Sequence, residues 1–123
     1  MTDFKSRIPF HKRREEAISI KQKFPDRIPI ICERASRNAD VPLISKCKFL
    51  APAQMTIGQF MYVIRRNLSL PPEKALFLFV GASLPTTQTL VRELYADYAD
   101  EDGFLYMKYS GESVFGGTCA PMK

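Results

Sequence analysis

From Ile28 to Arg34 both alternating sets of side chains open apolar: Ile28, Ile30 and Cys32 on one face, Pro29 and Ile31 on the other, ahead of Glu33. Successive residues of a strand point to opposite sides of a sheet, so this strand needs a cover on each face. The N-terminal segment is the candidate for one of them. Phe10, Ala17, Ile20 and Phe24 share a helical face, with His11, Lys12, Arg13, Arg14, Glu15, Glu16, Lys21 and Lys23 elsewhere, which predicts an amphipathic helix over 10–23 stopped by Pro25. A short turn or helix around 3–8 precedes it, separated by Pro9. The main core supplies the second cover, and a hydrophobic crevice is expected where helix and core meet the strand. Pro29 fits near the strand start or where its missing N–H is harmless.

The rest of the chain reads as short alternating elements. Residues 36–45 are polar with Pro42 and predict a loop, and Lys46 to Ala51 alternates Lys46, Lys48, Leu50 with Cys47, Phe49, Ala51. The lysines suit a sheet edge, where charge discourages unwanted pairing. Thr56 and Gln59 match a capping box and Met55 can staple to Phe60, so a helix from 57 to about 67 follows, with Ile57, Phe60, Met61, Ile64 and Leu68 as its stripe. Pro71 and Pro72 break the chain, and the apolar run Ala75 to Val80, ended by Gly81, predicts a short buried strand. Leu90, Val91, Leu94, Tyr95 and Tyr98 mark another helix with Thr89 as its N-cap. An acidic turn at Asp100, Glu101, Asp102 and Gly103 leads into a last strand, Phe104 to Tyr109. The order is helix, then ββαβαβ.

At 123 residues the chain fits one domain with one modest core. Cys32, Cys47 and Cys119 are an odd number without CxxC spacing, which argues against a disulfide framework and a zinc site and for a reducing compartment. No secretory signal with an apolar h-region opens the chain, and no run approaches the roughly 20 apolar residues of a membrane span, so a soluble, cytosolic product is expected. The net charge of +5 is uneven: residues 1–48 carry 12 Lys/Arg against 6 Asp/Glu, and residues 49–123 carry 6 against 7. A basic N-terminal region attracts nucleic acid, anionic membranes or acidic peptides, or is simply a solvated helix face.

The chain closes with Tyr109, Ser110, Gly111, Glu112, Ser113, Val114, Phe115, Gly116, Gly117 and six further residues. A glycine carbonyl offers little hindrance to a protease nucleophile or an acyl acceptor, so this end reads either as a reactive handle or as a frayed terminus. The residues that decide between them are spread along the chain: Phe10 with Lys12, Arg13 and Arg14; Phe24 through Pro29; Met55 through Phe60; Ile64 and Arg65; Leu76 through Val80; Leu94 and Tyr95; Phe104 through Tyr106; and Tyr109, Ser110, Glu112, Phe115 and Gly116. In these the chain resembles the autophagy-related ubiquitin-like modifiers, the family of the GABA-receptor-associated protein and the microtubule-associated protein light chain three.

The resemblance implies an α+β, ubiquitin-like β-grasp fold with an N-terminal helical extension: the extension at 1–24, the core at 25–116 and a removable tail at 117–123. It implies that a processing cysteine protease cuts between Gly116 and Gly117. Activating and conjugating enzymes then pass the new carboxylate, adenylated with ATP, through thioesters to the amine of phosphatidylethanolamine, with Gly116 as the point of lipid attachment. The protein itself is then no enzyme, carries no cofactor and binds no metal. It starts in the cytoplasm and becomes anchored on autophagosomes. The resemblance also implies docking of autophagy receptors with an aromatic-x-x-aliphatic motif along the second strand, by β-augmentation. The aromatic pocket falls on Glu16, Ile20, Pro29, Ile31, Lys48, Leu50 and Phe104, and the aliphatic pocket on Phe49, Ala51, Pro52, Met55, Phe60 and Val63. Arg27, Lys46 and Lys48 would meet acidic flanking residues. Asn67 stands where many members place Arg, and Ala51 where Val is common, which points to a wider second pocket.

Other chemistries find less support. His11, the only histidine, would have to reach Cys32, Cys47 or Cys119 to form a nucleophile pair, and Cys32 and Cys47 occupy apolar strand positions typical of inert thiols. Glu15 and Glu16 adjoin Arg13 and Arg14 on a solvated helix face. Phe77, Phe79, Phe104 and Tyr106 read as core, with Phe104 half exposed, rather than as a stacking platform, and no nucleic acid is expected as a partner. A pure adaptor or cytoskeletal module, acting through the basic helix alone, is the remaining alternative.

Overall fold

The apolar strand, β1 (Arg27–Arg34), takes an inner place in a four-stranded sheet ordered β2 (Lys48–Pro52), β1, β4 (Leu105–Ser110), β3 (Phe77–Phe79). The computed structural model describes residues 3–35 and 41–111. β1 runs parallel to β4 and antiparallel to β2, and β3 is antiparallel to β4. The helices are α1 (Phe4–Arg7), α2 (Phe10–Lys23), α3 (Ile57–Leu68) and α4 (Val91–Tyr98). This is the expected ubiquitin-like α+β arrangement with helices added at the N-terminus.

Both covers of β1 are present. Ile28, Ile30 and Cys32 join Phe49, Ala51, Leu105, Met107 and Tyr109 in one cluster closed by Ile57, Phe60, Ile64 and Leu68 of α3 and Val91 and Leu94 of α4. On the other face Ile31 and Phe104 join Phe4 of α1 and Ala17 of α2 in a smaller cluster. Each large apolar side chain so covered contributes roughly 1.5–3 kcal/mol. Pro29 costs the ladder nothing: Cys32 N–H donates to Cys47 O, so even positions of β1 bond β2 and odd positions face β4, whose ladder begins only at Ile30 opposite Leu105.

Local signals hold closely in α3. Thr56 Oγ1 accepts from Gln59 N–H at 3.1 Å while Gln59 Oε1 accepts from Thr56 N–H at 2.9 Å, closing the capping box. Four expectations need correction. Phe10 and Phe24 are 41% and 46% exposed, and the face α2 buries is Arg13 and Ala17, because Arg13 reaches an acidic partner under the helix. β2 begins at Lys48 rather than Lys46. β3 is confined to Phe77–Phe79 at the far edge. Leu90, not Thr89, precedes the first turn of α4, its N–H bonded to Glu93 Oε1, while the Thr89 hydroxyl bonds that of Thr86.

Candidate interface along the β2 edge

Among the described residues β2 pairs only with β1, so one edge of it is open there. Because Cys32 N–H bonds Cys47 O, the alternation of an antiparallel ladder turns the backbone of Lys48 and Leu50 outward. An extended peptide could continue the sheet there. The Arg27 guanidinium lies 3.4 Å from Leu50 O at one end of this edge.

On the helical side of the edge, the residues expected to form an aromatic pocket do converge. Ile20 packs on the cluster of Ile31 and Phe104, Pro29 stands opposite Leu50, and Lys48 Nζ is paired with Glu16 Oε2 across the mouth. The pocket is not open as expected, however. Phe104, predicted half exposed, is 0% exposed, as is Ile31. Phe4, Ile8, Ala17, Ile20, Cys47 and Tyr106 pack around them, the Phe4 ring meeting Phe104 edge-on, with centroids 5.5 Å apart at 72°, and Tyr106 at 6.5 Å.

The aliphatic side divides in two. Phe49, Ala51 and Phe60 belong to the core, Phe49 and Phe60 in edge contact at 5.5 Å, and Met55 and Val63 pack against the same cluster. Pro52, Met55 and Val63 line an open groove of about 800 Å³ that continues past them over Gln54, Gly58, Gln59, Tyr62 and Thr87. Asn67 turns its amide back to Val63 O at 2.9 Å, within its own helix. Of the cations expected to meet acidic flanks, Lys46 is exposed with its ammonium 5.2 Å from the Phe49 ring centroid, Arg27 is exposed, and Lys48 is engaged by Glu16.

A buried polar network fixes the helical side. Asp102, 0% exposed, accepts from Arg13 Nη1 and from the Tyr106 hydroxyl, each at 2.5 Å, and from Phe104 N–H at 2.9 Å. Arg13 Nε donates to Ile8 O at 2.9 Å, and Phe10 lies over the guanidinium at 5.5 Å. Burial, together with the bond to Asp102, pushes the Tyr106 hydroxyl well above its usual range. Neither Arg13 nor Asp102 stood out in the sequence, where one belonged to a basic run and the other to an acidic turn.

Among the described residues no other chemistry gathers. His11 is exposed on α2 while Cys32 is fully buried, where burial pushes its thiol far up. Among the described residues no group of His, Cys, Asp or Glu could hold a metal ion, and no helix is long and apolar enough to cross a membrane. Gly116, Gly117 and Cys119 lie outside the described residues.

The family model described as autophagy protein Atg8, ubiquitin like, matches residues 12–116. Autophagy-related protein 8 of Candida glabrata is 51% identical over 115 residues, covering 94% of this chain and 97% of its own. That of Mycosarcoma maydis is 54% identical over 113 residues, covering 92% and 95%. Two solved structures superpose with a TM-score of 0.85. One is Trypanosoma brucei ATG8, 40% identical, covering 94% of this chain and 99% of that one. The other is Plasmodium falciparum Atg8 in complex with a Plasmodium falciparum Atg3 peptide, 38% identical, covering 94% and 100%.

Proposed function

The chain belongs to the Atg8 family of ubiquitin-like autophagy proteins, and from that premise we propose that it is a modifier conjugated through Gly116 to phosphatidylethanolamine, which then gathers autophagy receptors along its β2 edge. The observation that carries the conjugation is the family match itself, which ends at residue 116, where Phe115 precedes the glycine.

The chemistry belongs to the partners. A protease thiolate attacks the Gly116 carbonyl, the amide to Gly117 breaks with its nitrogen taking a proton, and water frees the Gly116 carboxylate. ATP adenylates that carboxylate with loss of pyrophosphate. A thiol of the activating enzyme displaces AMP to form a thioester, a thiol of the conjugating enzyme takes the acyl group from it by exchange, and the lipid amine displaces that last thiol to form an amide. A Cβ at position 116 would crowd each attack. Lipid burial contributes about 0.8 kcal/mol per CH₂, and two chains anchor stably where one is marginal, which carries a cytoplasmic domain to the autophagosome.

Receptor docking by β-augmentation is supported by the open β2 edge, flanked by the covered Ile31–Phe104 cluster against α2 and a groove against α3. The Plasmodium falciparum relative solved in complex with an Atg3 peptide supports peptide binding by this fold and a conjugating enzyme as a partner. The test of the conjugation is the mass of the C-terminal peptide recovered from starved cells. Loss of residues 117–123 with a phosphatidylethanolamine adduct on Gly116, both abolished by Gly116→Ala, is the expected result; a pool that stays full length overturns it.

A further inference from the structure

We draw no further inference here: the strongest candidate, the cleft of about 320 Å³ between α2 and the turn leading into β4, lined by Arg14, Ile18, Lys21, Tyr95 and Glu101 among others, faces cations on α2 with an acid on the turn and so favours no one partner charge, and nothing in the structure shows what covers it.

Discussion

Arg13 Nη1 and Asp102 Oδ2 meet at 2.5 Å beneath α2, joining residues 89 apart in sequence where both are buried. Removing one partner of a buried pair leaves the other charge without compensation, so Asp102→Ala should destabilise the fold by about 3 kcal/mol, read from urea melts. It also frees the Tyr106 hydroxyl and Phe104 N–H, both bonded to the same carboxylate. Asp102→Asn retains an acceptor for these and should cost less than the alanine variant; equal losses would show that the charge does not matter.

Gly103 ends the turn that presents Asp102, at φ +95°, and a Cβ built there comes 2.8 Å from Ala17 Cβ. Gly103→Ala therefore strains the backbone and drives α2 off the sheet, a loss of about 1–3 kcal/mol from the backbone alone. Ala17→Gly in the same chain relieves the collision but not the strain, so the double variant should recover part of the stability in a thermal melt. Full recovery would assign the whole effect to the contact with α2.

Much of this architecture is legible in the sequence because it rests on local rules. The two-faced apolar pattern of β1 demanded covers that α2 and α3 supply, and Thr56 with Gln59 marked the start of α3 to the residue. What stayed hidden depends on partners distant in sequence. Nothing near Arg13 distinguishes it from the basic run around it, and only Asp102, brought in by β4, makes it a buried residue while Phe10 and Phe24 remain exposed. Alternation places Ile31 and Phe104 on the face of α2, whereas their full burial was not legible, since it involves Phe4, at the edge of a segment too short to predict with any period.

Docking of α1 should weaken in acid. Burial disfavours the charged form of Asp100, but the bond from Lys5, the Asp102 N–H and the charges of Lys5 and Arg13 outweigh it and hold the carboxyl below its ordinary range. The Ser6 bonds, helped by the charges of Lys108 and Lys5, do the same for Asp3. Folded-state values below the unfolded ones give stabilisation that is complete above about pH 4 and lost as pH falls through the lowered values. The pair with Lys5 is partly exposed, so the effect should stay under about 1 kcal/mol. Hydrogen-exchange protection of the Ile8 amide, bonded to Phe4 O, should drop over that range, and less steeply in Lys5→Glu. Protection that rises in acid would contradict this.

Ala51 distinguishes a peptide pocket from a core. Its small side chain is 3% exposed and packs in the cluster under α3 with Phe49 and Phe60, against which Met55 and Val63 of the groove also pack, and Ala51 itself is not among the groove's lining residues. Valine at this position adds two methyl groups where the neighbours are fixed by edge contact at 5.5 Å, and overpacking of this kind costs roughly 1–3 kcal/mol. Ala51→Val should therefore lower the melting temperature while leaving unchanged the ratio of affinities for peptides ending in Val, Leu or Ile at the aliphatic position. A changed ratio with unchanged stability would return Ala51 to the peptide-binding surface and require the floor of the groove to open down to β2.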